Sequence, residues 1–183
     1  MSRSAMIRSR VSQRAFTALV AALLFVLVVP GAFAQKITTE YDEAVDFGKF
    51  KTFLVREGRL NSRHPALNSE LTKKNIATAI EAALTERGLT KATGQPDLNV
   101  FYTFGALRQI GTETYPAGWR GLGTRVVKEP YAEGTLVIDL RDPSTRSLVW
   151  RGIAVEGEEN PEELAGRLDK MVEKAIKKYP PKK

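Results

Sequence analysis

No cysteine occurs in the 183 residues, and histidine occurs once. The missing cysteine excludes disulfides, thiolate metal sites, cysteine nucleophiles and a lipid-bearing cysteine. The scarcity of histidine removes the multi-histidine sets that zinc enzymes use, so no metal centre is expected. The one histidine, His64 in "NSRHPAL", has no orienting partner or nucleophile nearby in sequence and reads as a surface-loop residue. No phosphate-cradling loop is present either: "GWRGLG" has neither the lysine nor the strand-to-helix context. No cofactor is implied.

Long apolar runs are confined to the start. Arg3, Arg8, Arg10 and Arg14 precede "AFTALVAALLFVLVV", followed by Pro30-Gly31 and the small-x-small site Ala32-Phe33-Ala34. This pattern predicts a secretory signal peptide over residues 1–34, cleaved after Ala34, and one domain over 35–183. The apolar run is short for a spanning helix, which needs about 20 residues. The whole chain holds 28 basic and 21 acidic residues. The leader carries four of the basic ones and no acid, leaving 24 against 21, a net +3. The basicity thus belongs partly to the leader, and nucleic-acid binding is not expected. A soluble periplasmic protein is.

The exported part reads as strands and helices in alternation. "FGKFKTFLV" predicts a first strand at Thr52–Val55, or one that starts as early as Ile37. "REGRLNSRHPALNS" reads as a basic loop. Asn68 or Ser69 opens a helix with an apolar stripe of Leu71, Ile76, Ile80, Ala83 and Leu84. Gly88 closes it in the left-handed position, with Leu89 folding back. "LNVFYTF" puts Leu98, Val100, Tyr102 and Phe104 on one face and Phe101 on the other, the content of a central strand. Asn160, Pro161 and Glu163 form a capping signature for a last helix. Its stripe is Leu164, Leu168, Met171, Val172, Ala175 and Ile176. The expected fold is α+β: a twisted antiparallel sheet of about four strands with two helices on one face, in the order β-α-β-β-β-α.

"VDFGKFKTFLV", "QPDLNVFYTF", "YAEGTLVIDLRDPSTRSLVWRGIA" and "KKYPP", in that order, resemble the domain-of-unknown-function family 4136 over residues 37–181. The resemblance implies an exported bacterial envelope protein, often a lipoprotein, with an α+β fold. It brings no agreed activity, cofactor or catalytic residue. Ala34-Gln35 stands where the lipoprotein members carry their cysteine, so no lipid anchor is expected.

Two regions attract functional attention. Residues 108–131, "RQIGTETYPAGWRGLGTRVVKEPY", read as a long irregular loop with one short strand near Arg125–Lys128. Tyr115, Trp119, Arg120, Arg125 and Tyr131 make it the candidate binding loop, since aromatics beside arginines can grip a protein, a cell-wall sugar or a lipid headgroup. Function is expected as a non-catalytic envelope module binding such a partner through this loop or an open sheet face. The alternative is a periplasmic hydrolase built on carboxylates, from the clusters Asp42, Glu43, Asp46 or Glu156, Glu158, Glu159. The second region, "GTLVIDLRDPSTRSLVWRG", predicts a hairpin pairing Leu140 with Leu148, Ile138 with Trp150 and Leu136 with Gly152. Asp139 and Arg151 then form a diagonal ion pair on the outer face, worth at most about 1 kcal/mol if exposed. Asp139, Trp150, Arg151 and Gly152 are structural residues in this reading, with Gly152 and Ala154 leaving room for a helix to approach Trp150.

Overall fold

Alternating burial along the inner halves of the two longest strands organises the molecule. The computed structural model describes residues 36–117 and 123–181, so the expected signal peptide lies outside the described residues. Its strands are β1 (Lys36–Tyr41), β2 (Thr52–Val55), β3 (Arg59–Asn61), β4 (Thr90–Lys91), β5 (Leu98–Ala117), β6 (Gly123–Arg141) and β7 (Leu148–Glu158). Its helices are α1 (Glu70–Glu86), α2 (Pro161–Ala165) and α3 (Leu168–Ile176). All seven strands form one sheet in the order β1-β7-β6-β5-β2-β4, with β3 beside β2 on the same edge of β5.

The expectation of about four antiparallel strands is corrected on both counts. The sheet is mixed: β2 runs parallel to β4 and β5, and β3 parallel to β5. The reason is the connection, since β2 returns to β5 through α1 and a helical crossover places two strands parallel. The basic loop after β2 likewise contains β3 and a 3-10 turn at Pro65–Leu67. β1 is a separate strand on β7 rather than an extension of β2.

One face of the sheet carries the core. Val100, Phe104, Leu136, Ile138 and Leu140 are fully buried against the helices, and Tyr102 nearly so. Tyr102 donates its hydroxyl to the Lys73 carbonyl of α1 at 2.8 Å. Gly134 lets Leu164 of α2 lie against the sheet, because a Cβ there would come within 2.9 Å of it. Asp97 ties β5 to β2, accepting the Lys51 and Thr52 amides at 2.9 Å each. Those two bonds hold its carboxyl below the usual carboxylate range.

Local chemistry sets the helix ends. Ser69 Oγ accepts the Thr72 amide at 3.1 Å. Gly88, at φ +86°, closes α1 with a double turn in which Gly88 donates to Thr85 and Leu89 to Leu84. Leu71 is 66% exposed, so it leaves the expected stripe; Thr72 is buried instead, donating to the Ala66 carbonyl. Asn160 and Glu163 cap α2 reciprocally at 2.9 Å. The expected single last helix is interrupted at Gly166-Arg167, yet Leu164, Leu168, Met171, Val172, Ala175 and Ile176 all remain buried.

Candidate functional site

β5 and β6 outrun every other strand. Their antiparallel register is continuous from Asn99↔Arg141 to Ala117↔Gly123. β7 flanks β6 only as far as Ala132, and β3 flanks β5 only as far as Gly105. From Gln109↔Tyr131 outward, nine pairs form a ribbon with no third strand beside it among the described residues. At about 3.4 Å per residue its reach is about 30 Å.

The irregular loop expected over 108–131 is therefore corrected to an extended hairpin. Gly111, Pro116 and Gly123 look like loop punctuation in sequence, but each is tolerated where no neighbouring strand needs its hydrogen bonds or packing. The short strand foreseen at Arg125–Lys128 is one piece of β6. Tyr115 is paired with Arg125, and Tyr131 with Gln109. Arg125 is exposed and Tyr131 half-buried. Trp119 and Arg120 lie outside the described residues.

Apolar residues that the sequence reading passed over stand on the ribbon and its base. Leu107 is 70% exposed, Ile110 68% and Val126 58%. Their signal was visible as apolar residues set singly among polar ones, but without strand pairing they had no common location. Beside the base lies a groove of about 950 Å³, lined by Arg63, His64, Leu67, Leu107, Arg108 and Tyr131 among others. His64 Nε2 stands 3.6 Å from Glu162 Oε1, and Nδ1 is enclosed without a hydrogen-bond partner among the described residues.

The β6–β7 hairpin departs from its expected register by two residues. Leu140 pairs with Trp150, Ile138 with Gly152 and Leu136 with Ala154. A bulge between Leu140 and Arg141 absorbs Val149, which explains why the adjacent Val149 and Trp150 are both buried. Gly152 serves Trp150 directly: a Cβ there would overlap the indole ring. The ring also meets Tyr179 edge-on at 5.7 Å, and burial pushes the Tyr179 hydroxyl up to about 12.

Asp139 and Arg151 are directly opposite each other rather than diagonal. Arg151 donates from Nε at 2.6 Å and from Nη2 at 2.8 Å, and Arg141 adds a bond at 3.2 Å. Asp139 lies on the face away from the helices but is only 9% exposed, because these two side chains cover it. Burial alone would raise its carboxyl; the bonds and charges of Arg151 and Arg141 outweigh that and hold it below the usual range. It is an ionised anchor, not a proton donor.

In the carboxylate clusters Asp42, Asp46 and Glu158 have local tasks, while Glu156 is buried with one carboxylate oxygen lacking a hydrogen-bond partner among the described residues. Asp42 accepts the Ala44 amide and Asp46 the Gly48 amide, each at 2.9 Å. Glu158 meets Arg167 at 3.0 Å. Among the described residues no three His, Asp or Glu side chains gather as a metal ion would need. None of their helices is long and apolar enough to cross a membrane.

The family described as "Domain of unknown function (DUF4136)" matches residues 37–181. A PDZ domain protein from Parabacteroides distasonis is 20% identical with a TM-score of 0.53, over 89% of this chain and 40% of that one. It is similar in fold, and the chain spans 40% of its length. A DUF4136 family protein from Bacteroides thetaiotaomicron is 14% identical with a TM-score of 0.49, over 80% and 96% of the two chains. A PelC dodecamer from Paraburkholderia phytofirmans is 12% identical with a TM-score of 0.47, over 78% and 95%. No curated protein sequence matches.

Proposed function

The chain belongs to the DUF4136 family, and from that premise we propose that it is a non-catalytic periplasmic envelope module whose ribbon binds a partner protein. The observation that carries the reading is the ribbon itself. A two-stranded ribbon is marginally stable alone in water and exposes backbone donors and acceptors along both edges. Leu107, Ile110 and Val126 add exposed apolar surface to the same segment. Edge groups beside apolar side chains match an added strand or a protein groove better than a sugar polymer or a headgroup. Tyr115, Trp119, Arg120, Arg125 and Tyr131 belong to this binding segment, and the leader delivers the domain to the periplasm.

The test is in-cell photo-crosslinking from Ile110 and from Val126, with Lys170 on α3 as the control position. A shared protein partner captured at both ribbon positions, and lost with Ile110→Lys, is the expected result. Equal capture from Lys170 overturns the reading. Cosedimentation with cell-wall sacculi or with anionic vesicles in the absence of protein capture replaces the partner class.

A further inference from the structure

A second site lies away from the ribbon, on the sheet face opposite the helices. There a cleft of about 540 Å³ opens over β5 and β6, between β3 on one side and the β6–β7 turn on the other. Arg59, Phe101, Asp139, Arg141, Pro143 and Arg146 line it.

The cleft lining carries three carboxylates, Glu57, Asp139 and Asp142, and three arginines, Arg59, Arg141 and Arg146, but cations outside the lining engage the carboxylates. Asp139 is satisfied by Arg151, and Asp142 lies 3.7 Å from Lys49; neither of these cations lines the cleft. Glu57, at the rim, is 3.7 Å from Lys73, which also binds Glu70. On the basic side Arg141 spends one nitrogen on Asp139. The side chains of Arg59 and Arg146 form no ion pair or hydrogen bond among the described residues. Arg56, outside the lining, donates from Nε to Asn99 of the cleft wall at 2.8 Å. Several guanidinium groups thus face one space with donors unspent, beside Phe101, which is 39% exposed on the cleft floor opposite Asp139.

Arg146 supplies an independent pointer. It is a non-glycine residue at φ 60°. Glycine is the unstrained choice for that conformation, and an arginine there is held at a cost. The turn does not need this side chain for closure, since Asp142 and Ser147 close it through the backbone and Asp142 caps Ser144. What the arginine adds is a cation at the mouth of the cleft.

The geometry points to a binding site for an oxyanion carried on a flat ring, with the anion gripped by Arg59, Arg141 and Arg146 and the ring resting on Phe101. Guanidinium forks match carboxylate and phosphate oxygens, and stacking on an aromatic floor selects a ring over a bare ion. Asp139 and Arg151 position the site by fixing Arg141. The probe is phenyl phosphate, followed by calorimetry and by Arg Nε–H shifts, with inorganic phosphate and phenol as the separate halves. Phenyl phosphate should bind at least about tenfold more tightly than either half, the ratio expected of one retained contact. Arg59→Gln and Arg146→Gly should each weaken it about tenfold or more, while Arg146→Gly raises the melting temperature by relieving the backbone. The proposal is overturned if inorganic phosphate binds as well as phenyl phosphate, if neither substitution changes binding, or if phenyl phosphate fails to saturate at millimolar concentration.

Discussion

Arg151→Met removes the main partner of Asp139 while keeping an apolar stem in place. Two limits bracket its cost. Exposed ion pairs contribute about 0–1 kcal/mol, whereas breaking a fully buried pair costs about 3–5 kcal/mol. The Asp139 side chain is 12% exposed and that of Arg151 32%, so the pair stands between these limits. Two charge-assisted bonds are lost, at 2.6 and 2.8 Å, yet Arg141 remains 3.2 Å away and the carboxylate is not left alone. The expected loss is about 2 kcal/mol, twice what an exposed pair could contribute. Asp139→Asn should cost about 1–2 kcal/mol by itself, and the double variant should cost less than the sum. Urea unfolding of the four proteins gives the coupling from their midpoints, provided the slopes agree. A coupling of about 1–2 kcal/mol supports the bidentate pair; one below about 0.5 kcal/mol would refute the reasoning.

Gly152→Ala should destabilise the domain by about 2 kcal/mol or more, because the new methyl overlaps the Trp150 ring; a melting temperature equal to that of the parent contradicts the packing described. Acid should weaken the fold through Asp97, Asp139 and Asp142, whose carboxyls are all held below the usual value. Since each folded pKa lies below its unfolded value near 3.9, their contribution is complete above that value and is lost as pH falls through the lowered pKa. Thermal melts from pH 6 down to pH 2 should stay flat until about pH 4–5 and then fall, and a decline beginning at pH 6 would assign acid sensitivity to other groups.

Features dictated by neighbours in sequence were legible before the fold was known. The reciprocal Asn160–Glu163 cap, the left-handed Gly88 and the inward set of β5 each depend on a few adjacent residues. Strand direction was readable too, but in a different signal: a strand, a helix of 17 residues and another strand describe a crossover, which demands parallel neighbours. The hairpin register was hidden by Val149, since a bulge breaks the period of two on which registration rests. The ribbon was hidden for the opposite reason. Its described side chains are at most half-buried, so they give no clear alternation to read, and its glycines and proline suggested a loop. The arginine cleft could not be read at all, because Arg59, Phe101 and Arg146 meet only when β3, β5 and the β6–β7 turn come together.

The unbroken register of the ribbon gives this architecture an adjustable dimension. β5 and β6 keep one pairing from the core out to Ala117↔Gly123, without a bulge to fix their length. Removing or inserting two residues on each strand beyond Arg108↔Ala132 changes the reach by about 7 Å and leaves every remaining side chain on its own face. A change of one residue on each strand reverses the faces of everything farther out. The core half of the same strands, from Val100↔Leu140 to Phe104↔Leu136, experiences neither change. Reach and orientation of the tip can therefore be retuned in discrete steps, by short paired insertions, without repacking the domain that carries it.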